Sequence, residues 1–288
     1  MMTKRLLEME VSNLKGLRGF VEAYEEVAAG RMQKVRAAVV VARQFLEGLG
    51  KVFAEVRFSY GREVGKITAK SRLARNGKTV AVFISANSGL YGDIVERVFE
   101  KFGEQVKLQK AEAVVVGKLG LRMVQERMSD RLFNYFDFSD EEVDPENLGL
   151  IMRYLLQFEK ILVFYGKFEN IVTQNPTVTS VSGDEIMAEQ ESKRAGEGDR
   201  GNKYLFEPGL AEVLQVFEGE ILASIFEQTV HESQLAKFAS RLRHLDEAAE
   251  NIDKRLVRLK FDGRRLGHKI ESRRQLSRLA GISLWQKT

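Results

Sequence analysis

From Leu235 onward the chain carries apolar residues at alternating spacings of three and four: Leu235, Phe238, Leu242, Leu245, Ala249, Ile252, Leu256 and Leu259. Leu266 and Ile270 extend the pattern past Gly263. This is the heptad seam of a helix wound on another helix, and Arg, Lys, Asp and Glu flank it. The whole segment from Gly209 to Ser283 predicts a helix of roughly 75 residues, on the order of 110 Å long. A globular core cannot bury that length, so the helix has to protrude and pair.

A partner lies at the other end of the chain. Thr3 to Val56 reads as one long helix, with Leu14, Leu17, Val21, Tyr24 and Ala28 along one stripe. After one extra residue the stripe resumes with Met32, Val35, Val39, Ala42, Leu46 and Leu49. Such a stutter locally unwinds a coiled coil. The chain has only three prolines, Pro145, Pro176 and Pro208, so neither end carries one to break a helix. The simplest expectation is that both ends pair as an antiparallel coiled coil, loosened near Gly30, Gly263 and Gly267.

The middle changes rhythm. "KTVAVFIS", "AEAVVVG" and "KILVFYG" are short, β-rich runs that suit strands buried on both faces. Amphipathic stretches at Gly92–Phe102, Leu119–Arg127 and Glu146–Phe158 lie between them. Alternating strands and helices predict an α/β fold: a small, mostly parallel, Rossmann-like sheet inserted between the two long helices. The expected division is 1–57 for the N-terminal coiled-coil helix and 58–191 for the α/β domain. A flexible loop and helix start follow at 192–208, where "SKRAGEGDRGNK" is polar and glycine-rich, and 209–288 forms the C-terminal coiled-coil helix.

"TVAVFISANSGLYGD" has the strand, glycine turn and helix of a phosphate loop. It lacks the Gly-Lys-Ser/Thr that a Walker loop needs, and Gly89 and Gly92 do not complete a dinucleotide fingerprint. The glycines are read as turn formers. No cofactor, catalytic group or metal site is expected. There is no cysteine, and His231, His244 and His268 are too scattered for a metal cluster. His231 beside Glu232, His244, and the acidic loop at Asp140–Glu142 are read as solvated charge. The basic stretch "KRLVRLKFDGRRLGHKIESRRQLSR" lacks interleaved stacking aromatics, so nucleic acid is not expected. No run of ~18 apolar residues crosses a membrane, and the opening residues are charged and amphipathic, unlike a secretory signal.

Six motifs in order resemble the gamma subunit of F-type ATP synthases. "VAAGRM" at Val27 to Met32 lies in a stretch similar to the family's first helix, and "FISANSGLYGD" occupies the place of Thr-Ser-Asp-Arg-Gly-Leu-Cys-Gly-Gly. "VVVGKLGLRMVQER", "FYGKFENIVTQNPTVTSV" and "YLFEPGLAEVLQVF" resemble its next three motifs. "ESQLAKFASRLRHLDEAAENID" resembles the start of its last helix, with Glu232, Ser233, Ala239, Arg241, Ala248 and Asn251 intact. The resemblance implies a non-catalytic rotor shaft. Its expected partners are α and β subunits of a catalytic hexamer, an epsilon-type subunit and a membrane c-ring. The expected location is peripheral, on the cytoplasmic face of a bacterial inner membrane.

The chain departs from the family's pattern where the shaft would meet its housing. Glu25 and Glu26 replace a basic and apolar pair, and "LDE" at Leu245, Asp246 and Glu247 replaces Met-Lys-Asn. Arg265, with Arg264 beside it, maps to the arginine that faces a catch loop, while Leu266 replaces its glutamine. Those residues are the expected partner contacts. Two other readings stay open: the shaft of a divergent paralogous rotary ATPase, and a free-standing α/β ligand-binding module with coiled-coil arms.

Overall fold

The structure is a computed structural model that describes residues 4–73, 76–109, 111–181, 206–207 and 209–285, without side chains at 57–59, 61–73, 109 and 280–285. Helix α1 is Lys4–Leu73, followed by β1 Thr79–Ile84, α2 Ile94–Gln109, β2 Glu112–Val116, α3 Lys118–Arg127 and β3 Phe133–Phe136. Next come α4 Pro145–Leu155, β4 Lys160–Phe168, β5 Gln174–Ser180 and the last helix, α5, Leu210–Trp285. Most of the stretch 192–208, expected as a flexible loop, lies outside the described residues. Helix α1 runs well past Val56, and its backbone departs from helical angles at Tyr60 (φ −127°, ψ 27°).

The chain divides into two compact units. One is Ala29–Arg241; the other joins the chain up to Ala28 with the chain from Leu242.

In Ala29–Arg241 the strand order is β3-β2-β1-β4-β5. All neighbours are parallel except β4 with β5. Central strand β1 shows why its sequence does not alternate: both of its faces are covered. Val80, Val82 and Ile84 join a core with Phe53 and Val56 of α1, Ile151 and Leu155 of α4, and Ile221 and Phe226 of α5. Ala81 and Phe83 point the other way, into a core with Phe99 and Phe102 of α2, Val124 of α3, Val35 and Val39 of α1, and Leu235 and Phe238 of α5. Two strands carry weak signals. β3 is only the four residues Phe133–Phe136, and β5 contains Pro176, which an edge strand tolerates.

In the other unit, Val21 of α1 packs with Ala249, Ile252 and Leu256 of α5, supported by Val11, Leu14 and Leu245. Leu7 lies under Gly263, where an added Cβ would stand 3.2 Å from its Cδ2. Arg18 pairs with Asp253 at 3.3 Å, and Arg255 with Glu10 at 2.9 Å. Numbers fall on one helix as they rise on the other, so the pairing is antiparallel, as expected.

The seam register differs from the expected one. Leu17 and Tyr24 are half exposed, at 50% and 52%. The inward positions step through 7, 11, 14, 18, 21, 25 and 28, an unbroken heptad that includes the half-buried Arg18 and Glu25. A long arginine can lay its stem along the seam and put its charge at the rim, here against Asp253. The expected coiled-coil residues Val35, Val39, Leu235 and Phe238 instead pack in the sheet core.

Gly117, between β2 and α3, has φ +99°, and an added Cβ would stand 2.8 Å from Ser85 Oγ and 2.9 Å from the Ala86 carbonyl. Gly117→Ala is expected to lower stability by roughly 2–4 kcal/mol, through strain and crowding together. Urea unfolding should show a lower midpoint at an unchanged slope.

Candidate functional sites

The seven expected contact residues all lie in the paired-helix unit. Glu25 is half-buried on the α1 seam, and Glu26 is exposed beside it. Asp246 and Glu247 are exposed on α5, next to Leu245, which packs in the same cluster as Val21. The antiparallel pairing therefore sets these four acids at one level. Glu247 is also held within α5, 3.3 Å from His244 and 3.7 Å from Arg243. Arg264 and Arg265 are exposed and Leu266 is half-buried, in the turn that follows Gly263. They lie about five turns, ~27 Å, along α5 from the acidic level. The structure thus makes two separate patches, one acidic and one basic.

A second constellation sits in Ala29–Arg241, at the turn after β1, and the sequence reading missed it. Asp140 is not solvated: it is 7% exposed, brought in by the β3–α4 connection. Its Oδ2 accepts from the backbone N–H of Asn87 and of Ser88, at 2.8 and 2.9 Å. Its Oδ1 accepts from Lys237 Nζ of α5 at 3.2 Å, and that ammonium also donates to the Ser85 carbonyl at 2.8 Å.

One turn on, Arg241 stacks on Tyr91, 4.0 Å from the ring centroid. It donates to the carbonyls of Gly89 at 2.7 Å and Leu90 at 3.2 Å. Leu90 holds φ +66°, so the arginine grips a turn in a backbone conformation that favours glycine. Asn87 completes the turn: its side chain donates to Asp137 and the Phe138 carbonyl and accepts from Lys118 N–H at the start of α3.

Glu232 is likewise not a solvated charge. It is 7% exposed, paired with Arg43 at 2.7 Å and accepting from Tyr165 Oη at 3.4 Å. His231 contacts Gln234 and Glu227 of its own helix. The missed signal was Lys237 and Arg241 sitting one turn apart inside the apolar run around Leu235, Phe238 and Ala239. Charge embedded that way has to find a buried partner.

Among the described residues no group of three or more His, Asp or Glu is placed to hold a metal. No helix among them is long and apolar enough to cross a membrane.

A family model described as ATP synthase matches residues 3–266. The chain belongs to the ATP synthase family. Relatives within it are named ATP synthase gamma chain. That of Desulforudis audaxviator is 25% identical over 280 residues, covering 89% of this chain and 90% of the relative. That of Clostridium perfringens is 22% identical over 292 residues, covering 98% of each. The fold is similar to a chain in the central stalk and c-ring of Tetrahymena thermophila mitochondrial ATP synthase. There the TM-score is 0.58 at 16% identity, over 80% of this chain and 99% of that one. It is also similar to a chain of Euglena gracilis mitochondrial ATP synthase, with a TM-score of 0.54 at 13% identity, over 93% of this chain and 94% of that one.

Burial by itself would raise the Asp140 carboxyl, but the Lys237 charge and the N–H groups of Ser88 and Asn87 outweigh it and hold the group below its ordinary value. A carboxyl lowered on folding adds stability above its unfolded pKa and loses it in acid. Asp140→Asn leaves Lys237 buried without a counter-charge, which is expected to cost about 3–5 kcal/mol above about pH 5. The gap between wild type and variant should narrow as pH falls below about 4. Urea unfolding of both proteins from pH 3 to 7 measures it.

Proposed function

We infer that this chain is the central-stalk rotor subunit of an ATP synthase, a gamma-type shaft that couples rotation of a membrane ring to ATP synthesis or hydrolysis in a catalytic hexamer. The observation that carries this reading is the paired-helix unit. Its seam is packed on one side only, by Val21, Ala249, Ile252 and Leu256. On the outer side of α1, Met9, Leu17, Phe20, Tyr24 and Val27 are each about half exposed or more. A shaft needs a stiff inner seam and an outer surface that touches its housing without locking to it. An unpaired apolar stripe offers contact without the directional hydrogen bonds that would stall rotation.

The chain itself performs no chemistry in this reading; the hexamer's α and β subunits do. Arg264 and Arg265 are the proposed contacts for a catch loop of a catalytic subunit, with Leu266 supplying packing where an amide would have hydrogen-bonded. Glu25, Glu26, Asp246 and Glu247 form a proposed acidic collar that selects which ring is accepted. The α/β domain, 58–191, is proposed to dock the epsilon-type subunit and the c-ring. The chain then works as a peripheral subunit on the cytoplasmic face of a bacterial inner membrane.

Purification of the tagged chain from native membranes tests the assignment. Mass spectrometry should find α- and β-type subunits in threefold excess over this chain, together with c subunits. Purification alone or with unrelated proteins would overturn it. Within the purified complex, Arg264→Glu/Arg265→Glu is expected to cut ATP-driven ion pumping severalfold, because the charge that the contact is built on is reversed. The ratio of pumping to hydrolysis reads that loss of coupling.

A further inference from the structure

In a doubly wound sheet, the turn after β1 is where external phosphates are bound by backbone N–H groups. Here the turn also binds an anion, but the anion belongs to the chain. Two successive N–H groups, of Asn87 and Ser88, converge on one oxygen of Asp140. Successive N–H groups aimed at one point form an anion-binding nest. Ser88 Oγ donates to the same oxygen at 3.2 Å. Lys237, itself 5% exposed, delivers a positive charge to the other oxygen.

Lys237 and Asn87 each have partners besides Asp140. Lys237 is held by the Ser85 carbonyl. The backbone of Ser85 is fixed by its N–H on the Val116 carbonyl, and its Oγ donates to the same carbonyl at 2.6 Å while accepting from Gly120 N–H. Asn87 is bound on three sides, as described above.

We propose that the turn 85–88 together with Lys237 is a carboxylate-binding site whose resident ligand is the Asp140 side chain. The ligand serves as a latch that closes the β3–α4 connection over the β1 turn and onto α5. An open cavity of about 440 Å3 adjoins it, lined in part by Asn87, Ser88, Asp137 and Glu141. With Asp137 and Glu141 on that wall, a second anion is repelled while the latch is closed. Once the Asp140 carboxylate is removed, the nest accepts a small external monocarboxylate through the same cavity. The inference stands without the rotor reading, because it uses only the fold of Ala29–Arg241.

Formate is the probe, and the full-length chain is the sample. Asp140→Ala is expected to unfold several degrees below wild type. Sodium formate should restore part of that loss saturably, and sodium chloride of equal ionic strength should not. Wild type, with its site filled, should show no formate-specific shift. Asp140→Ala/Lys237→Met, with the charge gone, should show none either. If Asp140→Ala does not accumulate folded, its refolding yield from urea in formate against chloride supplies the same comparison. An equal response to formate and chloride, or a formate response as large in wild type as in the variant, overturns the proposal.

Discussion

Everything in this molecule follows from the need to cover the apolar face of α5. A helix of 76 residues cannot bury its own stripe, and water penalises each exposed leucine or phenylalanine by roughly 2 kcal/mol. The chain supplies two kinds of cover. Leu214, Ile221, Phe226 and Val230 enter one core of the sheet unit, and Leu235 and Phe238 enter its other core. Ala249, Ile252 and Leu256 are covered by α1 in the paired-helix unit. Helix α1 is partitioned in the same way, with Val21 in the pair and Val35, Val39 and Phe53 on the sheet.

Apolar packing alone would leave the placement of α5 poorly defined, since neighbouring turns of a leucine-rich stripe resemble each other. The buried polar groups remove that freedom. A shift of one turn would take Lys237 from Asp140, Glu232 from Arg43 and Arg241 from the carbonyls of Gly89 and Leu90. Each such loss leaves a buried charge uncompensated, at a cost of several kcal/mol. Lys237 and Arg241 tie α5 to the turn after β1, and Glu232 ties it to Arg43 of α1 and Tyr165 of β4, so a twist carried by residues 210–241 of the helix is delivered to the sheet rather than lost as slip. In a shaft, that is the property that matters.

The architecture was legible because periodicity reports the environment of a face. The uninterrupted β-rich run Thr79–Ile84 announced a strand covered on both sides, and the three-and-four spacing from Leu235 announced a helix that must pair. Periodicity does not name the partner, which is why Leu235 and Phe238 were expected in the coiled coil but lie against the sheet. It also favours apolar letters, so Leu17 and Tyr24 were preferred to Arg18 and Glu25, although the latter hold the seam positions. The polar site around Asp140 was hidden for a related reason. "DFSDEEVD" has the composition of a solvated loop, and only its long-range partners, Asn87, Ser88 and Lys237, make one of its carboxylates an internal ligand.

The central claim is mechanical and is best tested mechanically. The chain has no native cysteine, so a single Leu132→Cys gives one attachment point on the sheet unit, at a side chain that is 95% exposed. A bead attached there, on the chain assembled with a surface-fixed hexamer of the proposed α and β partners, is expected to turn continuously in one direction when ATP is added and to stop when ATP is removed. A bead that stays fixed, or diffuses without direction, while the same hexamer hydrolyses ATP would contradict the account.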